Sequence, residues 1–122
     1  MIKEILLVED NKELAKVLEF VLCSKGYKIT TLPDGLSALA HLKQAGTACC
    51  QLILTDFKMP GANGLELINQ ARALGYTGKA ILISGHLTEG TDPRVLRQAF
   101  AEVLQKPFTM EQLISCIESL AS

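Results

Sequence analysis

Residues 5–11 read ILLVEDN: four apolar residues, two acids, then an asparagine. Four apolar residues in a row are too few for a buried helix, and a strand with one wet face would alternate. The run fits a strand covered on both faces. The next segment is helical, because Leu14, Val17, Leu18, Val21 and Leu22 recur at helical spacing and Gly26 supplies a stop. A doubly covered strand feeding a helix is the repeating unit of a parallel sheet.

The unit recurs along the chain. Further apolar runs lie at 28–31, 51–55, 80–84 and 102–105, and those containing LIL and AILI are nearly continuous. Between them Leu36, Leu39 and Ala40, then Leu65, Ile68 and Arg72 with Leu74 close by, then Met110, Leu113, Ile114 and Ile117 keep helical spacing. Gly46 and Gly75 come after the second and third helices. Asp92-Pro93 reads as an N-cap with proline in the first helical position, and Pro107-Phe108-Thr109 parts the last strand from the last helix. With no repeat and no linker, the expectation is one α/β domain over residues 1–122: five βα units, a parallel sheet and right-handed crossovers.

Composition narrows the function. The 122 residues carry 12 basic and 13 acidic side chains, a net charge of −1 that argues against direct nucleic-acid binding. No apolar run exceeds four residues, so no membrane insertion is expected, and residues 1–10 offer no signal-peptide cleavage site. Cys23, Cys49, Cys50 and Cys116 form neither a C-x-x-C pair nor a metal spacing with the histidines. Free thiols and a cytoplasmic location are expected, with the adjacent Cys49-Cys50 read as packing thiols at the end opposite the acids.

In open parallel sheets chemistry gathers at the carboxyl ends of the strands. Those ends carry Glu9-Asp10, Asp56, Ser84-Gly85 and Lys106-Pro107. If the first and third strands are neighbours, three carboxylates converge, and a cation would relieve their repulsion. Oxygen donors without Cys or His favour Mg²⁺ over Zn²⁺. Lys106 adds a fixed positive charge and Ser84 a hydroxyl. These parts suit phosphoryl transfer to a carboxylate. Each residue has a plainer reading: Asp10 as an N-cap in the capping-box-like Asp10-Asn11-Lys12-Glu13, Asp56 and Ser84 as turn or cap residues, Lys106 as a solvated lysine. Four such residues at the ends of four different strands make the joint chemical reading the stronger one.

Over essentially its whole length the sequence resembles the receiver domain of two-component response regulators, in ILLVEDN (5–11), LILTDFKMPGANGLEL (52–67), LISG (82–85) and LQKPF (104–108). The resemblance implies a doubly wound, flavodoxin-like (βα)5 sheet with strand order 2-1-3-4-5. It places the phosphoacceptor on Asp56 and Mg²⁺ ligation on Glu9, Asp10, Asp56 and the Lys58 backbone carbonyl. It places the phosphoryl-binding and switch residues on Ser84 and Lys106, and a cis Lys106–Pro107 bond beside them. Gly64 falls on the glycine opening the third helix, where positive φ is expected. Lys58 and His86 fall where relatives tune phosphoryl lifetime. A histidine kinase or histidine phosphotransfer domain would be the donor. The surface of the fourth helix, fifth strand and fifth helix would carry the output, with a homodimer as one use of it. No enzyme activity beyond self-phosphorylation and self-dephosphorylation is implied. One departure stands out: relatives commonly carry Tyr or Phe three residues before the lysine, and here that residue is Val103. Phe100, three residues earlier, reads as a packing residue.

Three rivals share parts of this pattern. An FMN-binding flavodoxin would need a hydroxyl- and glycine-rich loop where Glu9-Asp10-Asn11 stands. A haloacid-dehalogenase-type phosphohydrolase would need D-x-D after the first strand. A receiver fold no longer controlled by phosphorylation would have no need of Glu9, Asp10, Asp56, Ser84 and Lys106 together. The chain is compatible both with a stand-alone regulator and with a piece of a longer regulator or hybrid histidine kinase.

Overall fold

A computed structural model describes residues 1–85 and 91–121. In chain order they form β1 (Glu4–Val8), α1 (Lys12–Ser24), β2 (Lys28–Leu32), α2 (Gly35–Ala45), β3 (Leu52–Asp56), α3 (Gly64–Ala73), β4 (Lys79–Ser84), α4 (Pro93–Ala99), β5 (Glu102–Gln105) and α5 (Met110–Ala121). The strands make one parallel sheet in the order β2-β1-β3-β4-β5. The expected doubly wound α/β architecture, flavodoxin-like with strand order 2-1-3-4-5, is the one observed.

The unbroken apolar strands result from two cores, one on each face of the sheet. Leu6 and Val8 of β1, Ile53 of β3 and Leu82 of β4 pack with Leu39 and Leu42 of α2, Leu67 and Ile68 of α3, and Leu96 of α4. The intervening Ile5, Leu7, Leu52, Leu54, Ile81 and Ile83 pack with Leu18 and Leu22 of α1 and Leu113 and Ile117 of α5. Successive strand residues point to opposite faces, so both sets must be apolar. A leucine or isoleucine buried this way contributes about 1.5–3 kcal/mol.

Local chemistry sets the helix ends. Asn11, not Asp10, is the N-cap of α1: its side chain accepts from the N–H groups of Glu13 and Leu14, both at 3.1 Å. Asp10 is thereby left for the site. Asp92 caps α4 with Pro93 behind it, as the sequence predicts. Gly26, Gly46 and Gly75 end the first three helices with φ of 97°, 92° and 108°. Strand bounds differ slightly from expectation. Gln51 lies just before β3, its side-chain carbonyl accepting from the N–H groups of Lys3 (3.0 Å) and Glu4 (2.8 Å), while Asp56 is the last residue of β3.

Register decides what meets at the top edge. Val8 pairs with Thr55, Asp56 with Ile83, and Ser84 with Gln105. The carboxyl ends of β1, β3, β4 and β5 therefore finish nearly level. The residues just past them, Glu9 and Lys106, lie over the same edge as Asp56 and Ser84.

Candidate phosphoryl and metal site

The ladder carries Glu9 one step beyond β1, since its N–H donates to the Leu32 carbonyl at 3.0 Å. The side chain turns inward, and the residue is only 3% exposed. One oxygen, Oε2, accepts from the Asn11 N–H at 3.1 Å. The other, Oε1, is buried and has no hydrogen-bond partner among the described residues. Asp56 is 8% exposed. Its Oδ1 accepts from the Phe57 N–H at 2.8 Å and its Oδ2 from Lys106 Nζ at 3.2 Å. Asp10 is exposed beside them. One carboxylate oxygen from each of Glu9, Asp10 and Asp56 lies within 4.8 Å of the others.

Lys106 reaches this cluster from the end of β5. Its Nζ is 3.2 Å from Asp56 Oδ2 and 3.6 Å from Glu9 Oε1, and its backbone N–H donates to the Ser84 carbonyl at 2.7 Å. Its stem passes over Gly85, where a Cβ would stand 3.6 Å from Lys106 Cδ. Ser84 is buried at the end of β4. The Lys106–Pro107 bond is cis, as expected.

Burial has a measurable consequence for Glu9. Loss of hydration pushes its carboxyl up to about 7, the Asn11 N–H opposes the rise, the charge of Asp56 adds to it and that of Lys106 opposes it. A carboxylate held this way is short of one positive partner. The donor set is all oxygen, and Glu9 Oε1 is a buried acceptor with no hydrogen bond, so the cluster fits a hard divalent cation.

One expectation needs revision. Gly64 is not in the left-handed region: the positive-φ glycines are Gly26, Gly46, Gly61 and Gly75. Close approach is what requires the glycine. A Cβ on Gly64 would stand 2.5 Å from the Asp56 carbonyl oxygen and 3.2 Å from Phe57 Cα, and the Gly64 N–H donates to the Phe57 carbonyl at 2.8 Å. Asn11 leads the cap of α1, so the plainer reading of Asp10 as an N-cap is the one set aside. Asn11 serves both α1 and Glu9, and asparagine's strong preference for N-caps is the signal that points to it. His86 lies outside the described residues. Lys58 is exposed in the loop after β3, and Val103 on β5 is 38% exposed. Phe100 is 3% exposed within the α2–α3–α4 core, a packing residue as expected.

Known proteins share the sequence family and the fold. Residues 5–118 match the response regulator receiver domain family. The response regulator receiver protein CpdR of Brucella abortus is 32% identical over 118 residues, spanning 97% of this chain and 96% of CpdR. The transcriptional regulatory protein TctD of Salmonella typhimurium is also 32% identical, but the chain spans only 50% of its length. Among solved structures, the response regulator TrrA of Thermotoga maritima, determined in complex with Mg²⁺-BeF, aligns with a TM-score of 0.82 at 28% identity over 97% of this chain and 98% of its own. A CheY-like receiver domain from Methylobacillus flagellatus shares the fold at TM-score 0.83 and 24% identity, over 98% and 99% of the two chains. This chain belongs to the response regulator receiver domain family, and so to two-component signalling. Among the described residues no helix is long and apolar enough to cross a membrane.

Proposed function

We propose that the chain is a phosphoacceptor receiver over residues 1–122, taking a phosphoryl group on Asp56 from the phosphohistidine of a histidine kinase or histidine phosphotransfer domain. The observation that carries the reading is the meeting of the Glu9, Asp10 and Asp56 oxygens within 4.8 Å, with the Lys106 ammonium 3.2 Å from Asp56. Glu9, Asp10, Asp56 and the Lys58 carbonyl would hold Mg²⁺, which supplies charge neutralisation for the phosphoryl oxygens when bound. An Asp56 oxygen attacks phosphorus; the O–P bond forms as the P–N bond to the donor histidine breaks. Lys106 balances the negative charge that the acyl phosphate adds, and the Ser84 hydroxyl donates to a phosphoryl oxygen.

The added charge draws on groups at the ends of β4 and β5, which are continuous with the face of α4, β5 and α5. That face is the output surface in this reading, and its change is a shift between two populations. Exposed Arg94 and Arg97 on α4 and exposed Glu102 and Glu111 on β5 and α5 give it both signs of charge, which suits self-pairing as well as a partner protein. With Val103 in place of an aromatic residue, no ring at that position takes part in the switch. Lys58 and His86 tune phosphoryl lifetime, and the protein works in the cytoplasm without direct nucleic-acid contact.

Incubation with Mg²⁺ and acetyl phosphate, followed by intact-mass measurement, tests the reading. The expected result is a gain of one phosphoryl group that requires Mg²⁺ and is absent in Asp56→Asn. An unchanged gain in that variant overturns the assignment of Asp56, and sustained turnover of phosphate esters would point to a hydrolase.

A further inference from the structure

The loop between β3 and α3, residues 57–63, connects Asp56 to Gly64 and contains Lys58. It is pinned at both ends: the Phe57 N–H donates to Asp56 Oδ1 and to the Ile83 carbonyl, and Asn63 makes a capping box with Glu66. Met59 is tucked into the core with its sulfur 3.8 Å from Thr55 Oγ1. The remaining support comes from outside the loop, from the first turn of α2. A Cβ on Gly35 would stand 2.8 Å from the Ala62 carbonyl oxygen and 3.1 Å from Ala62 Cβ. Leu36 lies across Gly61, where a Cβ would meet its Cδ1 at 3.2 Å and its Cγ at 3.3 Å, and Gly61 has φ of +84°.

We propose that this first turn of α2, through Gly35 and Leu36, is a positioning element for the Lys58 segment of the β3–α3 loop. The inference rests on the reading of Glu9, Asp10, Asp56 and the Lys58 carbonyl as Mg²⁺ ligands. Gly35 is helical without positive φ, so conformational freedom does not explain it, and alanine would favour the helix. Only the approach of the Ala62 backbone does. The contact is backbone against backbone, with no flexible side chain to absorb a displacement. The turn is itself fixed, because Asp34 Oδ1 accepts from the Ser37 N–H at 2.7 Å. Leu36 is 63% exposed, yet it is seated on the glycine that gives the loop its turn. A shift of Ala62 away from α2 is carried along the chain toward Lys58, four residues before it. Groups that orient a metal ligand without touching the metal change affinity by about 10-fold or more when altered.

Isothermal titration of Mg²⁺ into the full chain tests this. Gly35→Ala is expected to weaken Mg²⁺ binding by about 10-fold, and Leu36→Ala by less. Gly46→Ala, at the other end of the same helix where a Cβ meets nothing within 4 Å, is strained by its φ of +92° and is expected to lose stability with unchanged Mg²⁺ affinity. Equal affinity in Gly35→Ala and the unsubstituted chain overturns the proposal, as does an equal loss in Gly46→Ala. Should Gly35→Ala fail to fold, Leu36→Ala decides, and full affinity there overturns it. Absence of Mg²⁺ binding by the unsubstituted chain overturns the metal reading itself, a result distinct from the others.

Discussion

The buried carboxyl of Glu9 makes the metal-free protein less stable as pH rises. Burial lifts its proton affinity from the usual 4.5 to about 7. The folded state therefore holds a proton that the unfolded chain has released. Between pH 4.5 and about 7 Glu9 binds fewer protons in the unfolded state than in the folded one, so its contribution to the unfolding free energy falls with pH across that window and is flat outside it. At ~1.4 kcal/mol for each tenfold change in proton affinity, the full window amounts to ~3 kcal/mol. That is an upper bound, since Asp56, Asp10 and Lys106 share the proton's energetics. Against a total stability of about 5–15 kcal/mol it is large. The assay is urea unfolding in EDTA, monitored by circular dichroism, at a series of pH values spanning the window. The unsubstituted chain is expected to lose up to ~3 kcal/mol relative to Glu9→Gln, which carries the neutral isostere throughout. Mg²⁺ added above pH 7 should recover stability in the unsubstituted chain and much less in Glu9→Gln. Parallel pH curves for the two proteins would refute the reasoning.

Packing sets two further outcomes. Gly64→Ala forces a Cβ against the Asp56 carbonyl oxygen at 2.5 Å, and urea denaturation should show a loss of about 1–3 kcal/mol together with slower labelling of Asp56 by acetyl phosphate. Phe100→Ala empties a position only 3% exposed and should cost about 3–5 kcal/mol in the same measurement, whereas Val103→Ala, at a site 38% exposed, should cost under about 1 kcal/mol. Comparable costs for the two would place Phe100 outside the core.

β1, β3 and β4 are legible in the sequence because burial on both faces leaves a clear trace: ILLV, LIL and AILI have no polar position to spare, a trace that the more exposed β2 and β5 lack. Glu9-Asp10 follow ILLV and Asp56 ends the run that contains LIL, which makes the acids legible, whereas Lys106 follows the mostly exposed EVLQ. Less is visible where two good choices are adjacent. Asp10 and Asn11 are both strong N-caps, and only the fold shows that Asn11 takes the role, freeing Asp10. Gln51 looks like the start of a strand, but its amide oxygen receives the N–H groups of Lys3 and Glu4 from a segment 47 or more residues away in sequence. Glycine is the hardest residue to interpret from a string. Gly26 and Gly61 have positive φ, while Gly35 and Gly64 make room for another backbone, and these two uses look alike until Ala62 and Asp56 are seen against them.

The position of the charges explains why a chain of net charge −1 can still carry a strongly polarised site. Three carboxylates and one ammonium meet at one edge of the sheet, where the strand register brings their residues together. Both buried carboxylates are also held by hydrogen bonds, Glu9 Oε2 accepting from the Asn11 N–H and Asp56 from the Phe57 N–H and Lys106 Nζ. Burial, with the charge of Asp56 adding to it, favours the protonated form of Glu9. In the proposed function the same constraint works in reverse. A divalent cation that keeps Glu9 ionised also neutralises charge beside Asp56, where the phosphoryl group must arrive, so metal occupancy and reactivity rise together.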